Sequence, residues 1–155
     1  MPKTDSKMNT VGCKTVNAIK VNKTQQWNQI DWKIAEKRVF KLQKRIYKAS
    51  RRDDVLTVRR LQKTLIKSWT AKCLAVRRVT QDNTGKKTAG VDGVKSLSPV
   101  ARMKLVNKLK LGSKVSPTRR VWIDKPGKEE KRPLGIPTMY DRALQALVKM
   151  ALEPE

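Results

Sequence analysis

Apolar residues in the first half of this chain recur at helical spacing. Trp32, Ala35, Val39, Leu42, Ile46 and Ala49 follow one another at intervals of three or four, which places them on one helical face. Asp53 and Asp54 then supply an N-cap and a first-turn acid, and Val55, Val58, Leu61, Leu65 and Trp69 trace a second stripe. Two stripes joined by a short connection predict an antiparallel helical hairpin, its second helix fading after Val76. Ahead of it, residues 1 to 26 are polar, with Lys3, Lys7, Lys14, Lys20 and Lys23 against Asp5. They read as a disordered basic tail, either a solubilising extension or an arm that touches nucleic acid.

The pattern breaks between Gln81 and Gly93, where Gly85, Gly90 and Gly93 with neighbouring Asx residues argue against regular structure. A further helix is expected from Ser98, with Pro99 in its first turn and Val100, Met103, Val106 and Leu109 leading to a stop at Gly112. Residues 119 to 137 change character. Arg120-Val121-Trp122-Ile123 has strand composition, Lys125-Pro126-Gly127-Lys128 is turn material, and Arg132-Pro133-Leu134-Gly135-Ile136-Pro137 is a second extended run. Pro133 and Pro137 donate no ladder hydrogen bond, so the returning strand should be irregular or an edge. Asp141 is expected to cap a last helix, 141 to 153, with Leu144, Leu147, Val148, Ala151 and Leu152 on one face. The expected class is mainly α with one β-hairpin (α+β), and the last apolar stripe must pack on something or drive self-association.

Charge changes the picture. The 155 residues hold 37 Lys and Arg against 13 Asp and Glu, a formal net charge of +24. Nine of those cations lie between Lys33 and Arg52, opposed only by Glu36, so the outer face of the first helix is almost uniformly positive. Charge of this density points to a polyanion, above all nucleic acid. No helix-turn-helix spacing or zinc finger is visible, which favours RNA over sequence-read duplex DNA.

Absences narrow the chemistry. Without histidine there is no Ser-His or Cys-His pair and no imidazole shuttle. Cys13 and Cys73 are far apart and form no metal-ligand spacing, and a reducing compartment is the default. No apolar run reaches the ~20 residues of a membrane span, and no secretory signal is visible. A cytoplasmic protein is expected, with an organelle left open. Asp53-Asp54 is the one adjacent carboxylate pair suggestive of a metal site, yet Arg51 and Arg52 precede it and capping explains it better. Among the tryptophans, Trp27, Trp32 and Trp69 suit burial, while Trp122, beside Arg119 and Arg120, is the best base-stacking candidate.

Several short motifs run in register: Ala75-Val76-Arg77-Arg78-Val79-Thr80, Gly85-Lys86, Gly90-Val91-Asp92-Gly93, Arg132-Pro133-Leu134-Gly135-Ile136-Pro137-Thr138, Asp141-Arg142, Gln145 and Ala151-Leu152-Glu153-Pro154. Together they resemble the N-terminal part of group II intron-encoded reverse transcriptases, the maturases, over residues 27 to 155. The resemblance implies an N-terminal helical extension (27–80), a lid-like loop (81–97) and part of the fingers subdomain of a right-hand polymerase (98–155). By the same resemblance, Lys125 and Arg132 would meet the incoming nucleotide's triphosphate and Leu134 the templating base. Lys37, Lys41, Lys44, Lys48, Arg77, Arg78, Lys86, Lys87, Arg119 and Arg120 would hold RNA.

The family's catalytic palm, with its Tyr-x-Asp-Asp motif and two Mg²⁺ ions, has no counterpart here. The chain is therefore expected to be a fragment that binds intron RNA, with RNA template and DNA primer as partners of the whole enzyme, and no cofactor of its own. A free-standing RNA chaperone and a non-functional remnant are the rival readings. Two departures stand out: the family usually has proline where this chain has Ala89 and Asp124, which implies a looser loop and a carboxylate beside Lys125 at the base of the fingertip.

Overall fold

Asp31 opens the first helix of the computed structural model, which describes residues 27–112, 116–127 and 129–154. Its carboxylate accepts from the Ile34 amide at 3.0 Å, satisfying one of the orphan donors at the start of α1 (Trp32–Ser50). The expected tail of residues 1 to 26 lies outside the described residues. Ala35, Val39, Ile46 and Ala49 are buried along α1, as their spacing requires.

The connection to α2 (Val55–Lys67) is a Schellman turn, in which the Asp54 amide reaches back to Ala49 O and the Asp53 amide to Ser50 O. Asp53 holds the left-handed position at φ 54°, where glycine is usual, and Asp54 caps α2 through the Thr57 amide. Val58, Leu61 and Leu65 face α1, whereas Val55, read as part of the same stripe, is 53% exposed. At the first turn of α2 the apolar face has yet to reach its neighbour.

The expected second helix is two helices. Ser68 turns extended (ψ 127°), ending α2 and starting α3 (Trp69–Arg77), and its hydroxyl bonds that of Thr70 at 2.8 Å. Beyond Arg77 the chain keeps winding, through a π-helical turn over Arg78–Asp82 and a 3-10 turn over Thr84–Lys87. The glycines and Asx residues expected to prevent regular structure thus permit two short turns, the second opened by Asn83, whose side chain accepts from the Gly85 amide. Ser98 caps α4 (Pro99–Lys108) with Pro99 at its start, and the helix ends four residues before Gly112, because Leu109 is already extended and fully buried.

Antiparallel strands β1 (Arg119–Asp124) and β2 (Lys131–Ile136) form the hairpin, with Trp122 opposite Pro133 and Ile123 opposite Arg132. Both strands are edges, which is where proline is tolerated. The last helix, α5 (Met139–Leu152), is capped by Thr138 and not by Asp141. Thr138 Oγ1 accepts from the Asp141 amide at 3.2 Å and donates to Asp141 Oδ2 at 2.6 Å, so Asp141 braces the cap from inside the first turn.

Two apolar clusters share α3 and α5. One joins Val39, Ile46, Leu61 and Leu65 to Ala71, Ala75, Leu147 and Ala151. The other gathers Trp27, Ile30, Cys73, Val76, Leu105, Val106, Leu109, Met139 and Ala143. Helix α3 is therefore buried on opposite sides, which is why its small residues Ala71, Cys73 and Ala75 sit where neighbouring backbones approach. Each fully buried aliphatic such as Ile46, Leu65 or Leu147 contributes about 1.5–3 kcal/mol relative to exposure. On α5, Leu147 and Ala151 are covered, Leu144 and Val148 are half-buried, and Leu152 is exposed beside Leu111 in an open apolar groove. Among the described residues no helix is long and apolar enough to cross a membrane.

Candidate nucleic-acid interface

Because one face of α1 is committed to the core, its charges are confined to the other. Lys37, Lys41, Lys44 and Lys48 are all exposed, as are Lys33, Arg38, Arg45, Arg51 and Arg52. Their one acidic neighbour on the helix, Glu36, is drawn to Arg77 at 3.5 Å, leaving the lysine face without an opposing charge of its own. Phe40, 64% exposed, and Tyr47, 50% exposed, stand on the flank of this face, lining a shallow groove with Gln43, Lys44, Glu153 and Pro154.

Arg77 and Arg78, adjacent in sequence, are placed differently. Arg77 is half-buried, with its guanidinium 4.7 Å from the Trp32 ring centre and its Nε 3.7 Å from Asp82, so it ties α3 to α1 and to the following turn. Arg78 is exposed. Trp32 in turn packs against buried Trp27, ring centres 5.0 Å apart, and the Trp27 indole donates to Gln81 Oε1. Trp69 is half-buried beside the same cluster, so all three tryptophans expected inside serve packing.

In the segment that follows α3, Lys87 is exposed, whereas the Lys86 ammonium donates to the Gln81 carbonyl. The loop is anchored where Ala89 implied looseness. Ala89 is buried, and Arg142 on α5 binds the carbonyls of Gly85 and Thr88 at 2.8 Å each. Gly90 presses on the chain entering α5, where an added Cβ would meet the Pro137 carbonyl oxygen at 2.8 Å.

The hairpin presents two faces. Arg132 and Leu134 share one with Ile123 and Val121, their cross-strand partners. Arg120 and Trp122 share the other with Asp124 and Lys131, and Trp122 is 58% exposed. Arg119 and Arg120 are exposed at the base. Asp124 does not pair with its neighbour Lys125. It lies 3.6 Å from Lys131 across the hairpin, while Lys125 Nζ reaches Glu130 at 2.8 Å. Exposed pairs of this kind hold weakly, about 0–1 kcal/mol, so a phosphate can take Lys125 from Glu130.

The sequence-predicted cations thus fall into an α1 face, a loop and a hairpin. Among the described residues no group of three or more His, Cys, Asp or Glu side chains could hold a metal ion. Burial pushes the Cys73 thiol up to about 12, which makes it a packing residue and not a nucleophile. The aromatic pair Phe40 and Tyr47 is missed by sequence reasoning, which assigns stacking to Trp122. Their seven-residue spacing, with Lys44 between them, is the signal that could have found them.

Residues 27–109 match the family described as the N-terminal domain of reverse transcriptase. The chain belongs to that family. It is similar to Maturase-like protein 1 of Euglena gracilis, 34% identical over 134 residues that cover 79% of this chain and 27% of that protein. Protein YkfC of Escherichia coli is 31% identical over 123 residues, covering 75% of this chain and 31% of its own length. The group II intron-encoded protein LtrA of Lactococcus lactis is 36% identical over 74 residues, 46% of this chain and 12% of that protein. The chain thus spans less than a third of the length of these relatives. Within the reverse transcriptase family it is the N-terminal region of the group II intron, maturase-like type.

Proposed function

We propose that this chain is an RNA-binding region of a group II intron reverse transcriptase/maturase, and that it carries intron RNA on the cationic face of α1. The observation that supports this most directly is the row of exposed Lys37, Lys41, Lys44 and Lys48, opposite a core-facing stripe and with Glu36 engaged by Arg77. Phosphates bound there release counterions, and that release dominates affinity for a polyanion. Just after α3 and on the hairpin, Arg78, Lys86, Lys87, Arg119 and Arg120 extend the same field along template or intron backbone. Lys125 and Arg132 meet a nucleotide triphosphate and Leu134 a templating base only when joined to a palm, which supplies the Mg²⁺ chemistry of RNA-templated DNA synthesis. By itself the chain binds and does not polymerise.

Charge reversal of Lys37, Lys41 and Lys44 to Glu tests this reading against the same reversal at Lys104, Lys108 and Lys110. In competition titrations with cognate intron RNA, the α1 set should cost at least about tenfold in affinity and clearly exceed the set at 104, 108 and 110. It should also flatten the salt dependence by about 0.7 in slope for each phosphate no longer neutralised. Equal losses from both sets, with no preference for intron RNA over an unrelated structured RNA, would leave a nonspecific polycation of the chaperone kind. A cDNA product from primer extension by the pure chain would refute the binding-only role.

A further inference from the structure

The outer face of a helix on a soluble domain is ordinarily polar, and packing gives no reason for two large aromatics on α1. Phe40 and Tyr47 are 64% and 50% exposed, while the core-facing residues Val39 and Ile46 beside them in sequence are buried. Seven residues separate the two rings, so they stand two turns apart on one side of the helix, about 10.5 Å along its axis. Lys37, Lys44 and Arg51 continue the same row at helical spacing, each exposed. The result is a stripe in which cation and aromatic alternate: Lys37, Phe40, Lys44, Tyr47, Arg51.

Alternation distinguishes two kinds of partner. The centre of a protein–protein interface is depleted in lysine, since its desolvation is costly, and here Lys44 stands between the two aromatics along α1 and lines the same groove, whose far wall holds Glu153 and Pro154. Single-stranded nucleic acid asks for the opposite arrangement, with rings on which unpaired bases stack and cations between them at the phosphates. Paired bases inside a duplex offer no face to a ring, so the recognised RNA must be open there. With their points of attachment two turns apart, the two rings serve successive bases and not one.

We infer that Phe40 and Tyr47 are base-stacking platforms on α1, selecting unpaired nucleotides of a loop or bulge while Lys44 contacts the backbone between them. The inference rests on the RNA-binding reading above and adds what the RNA must look like at this face. Stacking also differs from charge in its signature, because a stacked base releases no counterion and its contribution survives added salt.

The test uses the full chain and one RNA in two forms, a hairpin with an open loop and the same strand annealed to its complement. Phe40→Leu and Tyr47→Leu keep apolar bulk and remove the ring, and Phe40→Trp keeps a ring. Each Leu variant should bind the open loop about tenfold more weakly with an unchanged salt slope, bind the duplex within about twofold of the parent, and melt at the parent temperature. Phe40→Trp should bind the loop at least as tightly as the parent. If both Leu variants bind the loop like the parent while reversal of Lys37, Lys41 and Lys44 weakens it, stacking is refuted and the aromatics face a protein surface. Should the lysine reversals also leave binding unchanged, the RNA-binding role of α1 falls, and the stacking inference falls with it.

Discussion

Arg142 donates from Nη1 to the carbonyl of Gly85 at 2.8 Å, across 57 positions of sequence. Its Nη2 reaches Thr88 O at 2.8 Å and its Nε reaches Pro137 O at 3.0 Å. One guanidinium therefore joins the first turn of α5, the segment leaving β2 and the loop before α4. A planar fork of fixed donors suits this task, because three carbonyls at set angles accept from three different N–H groups.

Removing that fork should loosen the loop before it unfolds the domain. Arg142→Ala leaves three carbonyls to water, and since the site is partly exposed the loss should be about 2 kcal/mol in urea denaturation, less than three independent charged bonds would suggest. Arg142→Lys should recover only part, for want of the parallel donors. Trypsin cleavage after Lys86 and Lys87 should accelerate in Arg142→Ala under native conditions. Unchanged cleavage and stability would show that the loop is held by other contacts.

Gly90 tests the same junction from the opposite side. A methyl group there meets the peptide unit between Pro137 and Thr138, the Pro137 carbonyl oxygen at 2.8 Å and Thr138 Cα at 2.9 Å, and this backbone cannot swing away. Gly90→Ala should cost about 1–3 kcal/mol through overpacking. Gly85→Ala is the control, because its new Cβ would find only the Asn83 side chain, at 3.6 Å, and stability should stay within about 0.5 kcal/mol. Equal melting temperatures for the two variants would contradict the close approach.

Periodicity made the helices on either side of Asp54 legible, together with the hairpin and the Ser98-Pro99 start, because each rests on local chemistry: a cap, a proline, an alternation. The break at Ser68 was hidden because the residues after it, buried on opposite sides of α3, continue an apolar run without a polar face to mark the change of axis. Asp141 takes the capping role from Thr138 in a reading of letters alone, since either is a good cap and only the helix start distinguishes them. The pairings of Lys125 with Glu130 and Lys131 with Asp124 depend on hairpin register, which neighbouring letters do not reveal. At the candidate interface the cations were legible from composition. Which of them the fold already engages, Arg77 above all, required the tertiary contacts of Trp32, Glu36 and Asp82.

Asp53 carries a backbone cost that a substitution can relieve. Its φ of 54° lies in the left-handed region, which costs an ordinary residue roughly 1–2 kcal/mol and glycine nothing, with aspartate better tolerated than most. Asp53→Gly should leave stability unchanged or raise it by less than about 1 kcal/mol, because the freer unfolded chain offsets part of the relief. Asp53→Val should lower it by about 1–2 kcal/mol, β-branching being poorly compatible with this conformation. A stabilised valine variant in thermal melts would mean that the turn between α1 and α2 is not the Schellman turn described.

The cap next to it should make the stability of α2 depend on pH in a defined direction. Hydrogen bonding from the Thr57 side chain and then from its amide, with the nearby charges of Arg52 and Arg60, holds the Asp54 carboxyl below its ordinary value of 3.8, against a smaller opposing effect of desolvation. A carboxylate whose pKa is lower folded than unfolded contributes stability that is fully present above the unfolded value. That contribution is lost as pH falls below 3.8 and through the folded value. Asp54→Asn keeps a capping oxygen but no charge, so it lacks both the titration and the favourable interaction with the positive end of α2. The parent should therefore melt above Asp54→Asn at neutral pH, and the gap should close at pH well below 4. Raising salt should narrow the neutral-pH gap only in part, since ions screen Arg52 and Arg60 but not the bonds from Thr57. A gap that persists undiminished in strong acid would show that Asp54 stabilises the turn by shape alone.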